Sequence, residues 1–274
     1  MDKLIVLQNF LKNHDSALIA FSGGVDSTLL SRVAADIING RLLLVTVTSI
    51  VFPEPERLQA CRIAASLGLS HREIVLDVTA IPGFTDNNPD RCYHCKFELF
   101  SRIKAVADKE GIVSVFDGST ADDLDDFRPG RRALRQHGII SPLLEAGLTK
   151  NDVRAISARL GLETAAMPSL ACAASRFPYG EVITSRKINM VTIAEEAIRK
   201  LGLKQLRVRI HDNLARVEID PAEMVFAWKM RERIDSACRK AGFVYTALDL
   251  RGYRTGAMNE AVSDAVKNNC KADL

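Results

Sequence analysis

Ala17-Leu18-Ile19-Ala20-Phe21-Ser22-Gly23-Gly24-Val25-Asp26-Ser27 holds the most informative turn of the chain. Five consecutive apolar residues are too few for a helix and read as a strand covered on both faces. The two glycines let the backbone turn tightly and approach a ligand closely. Ser27 to Ile38 then reads as a helix stopped by Asn39-Gly40. The start of such a helix offers unpaired N–H groups and the positive end of the dipole. Ser22 and Ser27 add hydroxyls, so the turn is a cradle for a phosphate group. The plain alternative is a strand-to-helix turn with Asp26 or Ser27 as N-cap. The full Ser-Gly-Gly-Val-Asp-Ser string, placed after the first strand, weighs against it. The string lacks the Gly-Lys-Ser/Thr end of a Walker A loop and the spacing of a dinucleotide fingerprint.

Outward from this turn, buried strands alternate with helices. Asp2 to Lys12 has helical spacing, Leu42 to Val47 reads as a strand, Pro55 to Leu67 as a helix, and Glu73 to Leu76 as a strand. Residues 93–109 read as a helix, Ile112 to Phe116 as a strand, and Thr149 caps a helix to Leu160. The alternation predicts an α/β fold with a parallel, doubly wound sheet. Beyond residue 180 the order changes to α-β-β-α-β: a helix from Thr184 to Leu201, strands Gln205 to Ile210 and Leu214 to Ile219, a helix Pro221 to Lys240 and a strand Phe243 to Leu248. This predicts two domains in the 274 residues, 1–175 and a smaller α+β domain 176–274.

The composition, 47% hydrophobic and 26% charged, excludes long disorder, collagen and coiled coil. A net charge of +3 does not demand nucleic acid. Residues 181–274 carry 17 Lys and Arg against 13 Asp and Glu, while residues 1–180 carry 20 against 21. The positive excess therefore lies on the second domain, where it suits an anionic small molecule or a solvated surface equally. No apolar run approaches the ~18–20 residues that span a bilayer, and the start Met1-Asp2-Lys3-Leu4 shows no signal peptide. The expectation is a cytoplasmic protein without membrane or nucleic-acid partners.

Three further stretches carry chemistry. Asp117-Gly118-Ser119-Thr120-Ala121-Asp122-Asp123 ends the fourth strand, at the carboxyl edge where parallel sheets bind ligands. Gly118 permits close approach, and Asp122 and its neighbours are candidates for holding Mg²⁺ or orienting a ribose. Arg128, in the following Asp125-Asp126-Phe127-Arg128, is a candidate anion clamp. Arg91-Cys92-Tyr93-His94-Cys95-Lys96 holds a Cys-x-x-Cys at a helix start, open to metal, redox pairing or neither; His94 between them is expected to point away. Met167 to Gly180 joins the domains with small residues and carries Cys172. Cys61, Cys238 and Cys270 read as buried or idle thiols. Arg207 and Arg209 alternate on one strand and share a face, and Arg254 follows the last strand.

The loop Ser22–Ser27 resembles the pyrophosphate loop of the N-type ATP pyrophosphatases. With the Arg-Cys-Tyr-His-Cys-Lys string, Asp117-Gly118-Ser119 and Pro168-Ser169-x-Ala-Cys172-x-Ala-Ser175-Arg176, the chain resembles the LarE family over nearly its whole length. LarE enzymes insert sulfur in making the nickel-pincer nucleotide cofactor. The resemblance implies adenylation of a carboxylate of pyridinium-3,5-biscarboxylic acid mononucleotide and displacement of AMP by sulfur. It implies ATP phosphates at Ser22, Gly23, Gly24 and Ser27, Mg²⁺ at Asp26, and further ATP contacts at Gly118 and Asp122. It implies Arg207, Arg209 and Arg254 for the substrate phosphate, with Glu195 and Glu218 facing the same site. In one branch of the family the cysteine matching Cys172 gives up its own sulfur. In another three cysteines, here Cys92, Cys95 and Cys172, hold a [4Fe–4S] cluster carrying an extra sulfide, and their presence favours that branch. A homo-oligomer and association with other enzymes of nickel-pincer biosynthesis are implied as well. A tRNA thiolase and an amidating synthetase of the same superfamily, and a non-catalytic nucleotide sensor, are the alternatives.

Overall fold

The computed structural model describes residues 2–124, 129–168, 171–254 and 256–257. Arg128 with residues 125–127, and Cys270, lie outside them. The described residues divide into two compact units: those up to 76 with those in 92–168, and 77–91 with those in 171–257. The sequence-based division at 175/176 assigned 77–91 to the first domain. Instead these residues pack with the second. Within that unit Ile183 N donates to Thr85 O at 2.9 Å and Gly180 N to Asn87 O at 3.0 Å. The Asn87 amide donates to Pro178 O at 2.6 Å.

In the first unit the elements run α1 (Lys3–Leu11), β1 (Ala17–Ala20), α2 (Val25–Ile37), β2 (Leu42–Thr48), α3 (Glu54–Ser66) and β3 (Ser70–Val75). α4 (Arg91–Glu110), β4 (Ser114–Phe116), α5 (Gly130–Gln136), α6 (Pro142–Glu145) and α7 (Lys150–Arg159) complete it. The sheet is parallel in the order β3-β2-β1-β4. Alternate residues of β1 serve opposite faces, as the pleat requires. Ala17 and Ile19 join Leu7, Leu29, Leu30, Ile63 and Val153 from α1, α2, α3 and α7. Leu18 joins Phe100, Ile103 and Leu134 from α4 and α5. Helices thus cover both faces, which is the doubly wound arrangement the apolar runs predict. β3 starts at Ser70, three residues before the apolar stretch that announced it, because this edge strand is polar and half exposed.

The second unit holds α8 (Ser185–Arg199), β5 (Leu206–His211), β6 (Leu214–Ile219), α9 (Met224–Lys229), α10 (Arg231–Lys240) and β7 (Tyr245–Leu248). β5 and β6 are antiparallel, and β7 joins β6 in parallel. Leu206, Val208 and Ile210 share a buried face with Ala215, Val217 and Ile219. The helix expected over 221–240 is instead a 3₁₀ turn and two helices, broken at Met230.

Candidate functional site

The turn after β1 forms as its sequence directs. Gly23 adopts φ +69°, a left-handed conformation costly for any residue with a Cβ. A Cβ there would also lie 2.7 Å from Ala60 Cα on α3. Gly24, not Asp26 or Ser27, is the N-cap of α2. Ser22 is exposed at the mouth of the turn, and its hydroxyl accepts from Gly24 N at 3.3 Å. Ser27 is buried; its hydroxyl donates to Gly24 O at 3.3 Å, accepts from Ser22 N at 3.3 Å and meets Ser22 Oγ at 3.2 Å.

Asp26 follows in the first turn of α2. Its Oδ2 accepts from Lys150 Nζ at the start of α7. Its Oδ1 is buried with no hydrogen-bond partner. Burial raises the Asp26 pKa, opposed by the Lys150 ammonium, while the Asp123 charge adds to the rise and the Arg154 charge counters it. An orphaned carboxylate oxygen beside a helix N-terminus fits a divalent cation and the phosphates it would carry.

Gly118 abuts the same turn, since a Cβ on it would lie 3.3 Å from Asp26 Cβ and from Ser27 N. The neighbouring carboxylates are committed to the protein. Asp117 accepts from Ser119 and Ser141 hydroxyls, both at 2.5 Å. Asp123 accepts from Thr120 N at 2.9 Å, and exposed Asp122 from Lys150 N at 2.5 Å. Asp122 thereby fixes the helix start from which Lys150 reaches Asp26. Lys150 itself was missed by sequence reasoning. Thr149 and Asp152 announce a capping box, which forms, but no local signal places that helix against a loop 124 residues earlier.

Cys92 and Cys95, both half-buried, lie three apart in the first turn of α4 and so share a face. His94 stacks edge-on against Tyr93, 5.3 Å between ring centroids. Cys172, half-buried, belongs to the second unit. It opens a 3₁₀ turn over Ala173–Arg176, and its carbonyl accepts from Ser175 N at 2.9 Å and Arg176 Nη1 at 3.1 Å. None of the described cysteines forms a disulfide. Two thiols on one helical turn fit two corners of an iron–sulfur cluster. Among the described residues, however, no three His, Cys, Asp or Glu side chains gather as a metal-ligand set. Cys61 donates to Glu73 at 3.0 Å, and Cys238 is buried, its thiol pushed up to about 11 by burial.

In the second unit Arg207, Arg209, Arg216 and Glu218 occupy one face of the sheet, opposite the apolar one. Arg207 and Arg209 are buried rather than solvated. Arg209 donates to Glu218 Oε2 at 2.8 Å and Ser175 O at 2.7 Å, leaving a buried Nε without a partner. The Arg207 guanidinium lies 5.1 Å from the Tyr253 ring centroid, and burial lowers its pKa. Arg254 donates to Gly252 O at 3.0 Å. Arg176 grips Glu195 through two hydrogen bonds of 2.8 and 3.0 Å. Glu195 also accepts from Arg199 at 2.7 Å and from Val208 N, on the open edge of β5, at 2.9 Å.

Residues 13–124 match the family model for asparagine synthase. An uncharacterized protein of Synechocystis sp. is 40% identical over 267 residues, spanning 95% of this chain and 98% of its own length. The pyridinium-3,5-bisthiocarboxylic acid mononucleotide synthase of Lactiplantibacillus plantarum is 35% identical over 256 residues, 93% of each chain. An uncharacterized protein of Methanocaldococcus jannaschii is 29% identical over 259 residues, 93% of this chain and 98% of its own. The parallel sheet, the phosphate-type loop between β1 and α2, and these full-length similarities place the chain in the LarE family, among the ATP-using enzymes of the N-type ATP pyrophosphatase superfamily.

Proposed function

We propose that the protein uses ATP to adenylate a carboxylate of pyridinium-3,5-biscarboxylic acid mononucleotide and then replaces oxygen by sulfur. The observation that carries the reading is the loop at residues 22–27, with its left-handed Gly23 and the orphaned oxygen of Asp26. A relative at 35% identity bears the name of the corresponding synthase. The substrate carboxylate attacks the α-phosphorus of ATP, and pyrophosphate leaves. Adenylation turns a poor leaving oxide into AMP; a sulfur nucleophile then attacks the carbonyl carbon and AMP departs.

In this reading Ser22, Gly23, Gly24 and Ser27 bind the ATP phosphates, Asp26 holds Mg²⁺, and Gly118 leaves room for the nucleotide. Asp122 acts through Lys150, whose backbone it fixes. Arg207, Arg209 and Arg254 bind the substrate phosphate. Cys92, Cys95 and Cys172 would hold a [4Fe–4S] cluster, which would supply an exchangeable sulfide. Among the described residues no three ligand side chains gather as a metal set, and that supports a second reading in which Cys172 alone surrenders its sulfur.

One experiment separates the two. Protein purified anaerobically is assayed for iron, sulfide, thiolation and intact mass. The cluster reading expects Cys92→Ala, Cys95→Ala and Cys172→Ala each to lose cluster and thiolation, with parent mass unchanged after turnover. Dehydroalanine at position 172, or normal thiolation by Cys92→Ala, establishes the sacrificial route instead.

A further inference from the structure

Gln59, half-buried on α3, stands beside Ala60, the residue on which Gly23 rests. Its Nε2 donates to Gly23 O at 3.2 Å and approaches Met167 Sδ at 3.7 Å. Both neighbours can only accept, and only the NH₂ end of the carboxamide carries hydrogens, so the orientation of the amide is settled by its partners. Met167 is in turn held through its own carbonyl, which accepts from Arg154 Nη2 at 2.7 Å, while Arg154 Nη1 donates to Ala165 O at 2.7 Å. Gln59 thus reaches from α3 to the carbonyl of Gly23, the left-handed residue of the turn. Ala60 allows the loop to come close, and Gln59 fastens it there.

We propose that Gln59 is a positioning residue for the ATP step. It holds the Gly23–Gly24 peptide, whose N–H also binds the Ser22 hydroxyl, in the orientation that shapes the loop for the phosphates. It touches no reacting atom, and losing it would let that peptide rotate. The inference rests on the reading of residues 22–27 as the phosphate loop.

The test uses full-length Gln59→Leu and Gln59→Glu. Leucine keeps the volume and removes the donor. Glutamate keeps the shape, but as a carboxylate it faces a carbonyl oxygen; once protonated it regains an O–H donor. Magnesium-ATP binding by calorimetry is expected to weaken about tenfold in Gln59→Leu, the scale of one lost hydrogen bond, with the KM of the carboxylate substrate unchanged. In Gln59→Glu the defect exceeds that of Gln59→Leu at pH 8 and shrinks relative to it as the pH falls toward 5. A merely structural role would not produce that pH-dependent difference. ATP affinity within twofold of the parent in both variants, an equal rise in both KM values, or no difference in pH response between the variants overturns the proposal. Parent protein that binds no magnesium-ATP overturns the loop reading along with it.

Discussion

Asp26 carries one oxygen bound by Lys150 and one buried without a partner. Its pKa is raised by burial. A carboxylate raised on folding adds stability below its folded pKa and loses it as the pH rises through that value. At neutral pH the group therefore burdens the empty protein, and the divalent cation of the proposed function would relieve the burden at Oδ1. Magnesium-ATP binding is thus expected to tighten as the pH rises through the carboxylate range, and Asp26→Asn to flatten that dependence. Asp26→Asn is also expected to cost on the order of 10²-fold in pyrophosphate release while melting no lower than the parent at pH 8. Unchanged turnover would remove Asp26 from the site. Residues such as Asp26, Ser22 and Ser27 are legible because the chemistry and the turn lie in one short string. Lys150 and Gln59 are not, because their contacts cross 124 and 36 positions and depend on how helices pack.

At the scale of elements, the 3₁₀ turn that begins at Cys172 is bolted to α8 and β5. Arg176 and Glu195 are both about 5% exposed at their side chains. Burial alone would raise the Glu195 pKa, but Arg176 and Arg199 bring it down to about 2 from a reference of 4.5. A depressed carboxylate contributes stability above its unfolded pKa and loses it as the pH falls toward the folded value. Stability of the second unit is accordingly expected to decline between about pH 4.5 and pH 2. Glu195→Gln, which takes the countercharge from a buried guanidinium and leaves it only neutral partners such as Ala171 O and Cys172 O, is expected to cost about 3–5 kcal/mol and to blunt the acid decline; urea melts at pH 7 and pH 3 measure both. An equal acid decline in parent and variant would show that other groups govern it. The sequence announced α8, β5 and β6 through helical spacing, alternation and the Thr184 cap, which bonds Lys187 N at 3.2 Å. It did not announce the break at Met230. The apolar spacing continues across it, and neither Gly nor Pro marks it.

At the scale of the whole molecule, the insertion of 77–91 into the second unit was invisible in the sequence. Those residues pack through backbone bonds to 180–183 and through Asn87, which adopts φ +54°, and such bonds leave no mark on hydrophobic periodicity. The residues of the proposed function are divided between the two units. The phosphate loop, Gly118 and Lys150 belong to the first, and the arginine-lined sheet face to the second. A ligand stabilises the state it binds by mass action, about 2.7 kcal/mol at a hundredfold excess over its Kd. That protection should be read out in the unit that holds it. Hydrogen exchange with magnesium-ATP is expected to slow by up to ~100-fold across residues 17–31, 115–124 and 150–154, leaving residues 206–219 as they were. A phosphorylated pyridinium mononucleotide alone should protect 206–219 and spare the loop. The sheet face contains buried Arg209 Nε and Arg216 Nε without partners, so an anion there satisfies donors that the protein leaves unmet. Were ATP to protect β5 and β6 instead of the loop, the assignment of the two anions to the two units would be reversed. Protection of both regions by either ligand would mean that one site draws on both units at once.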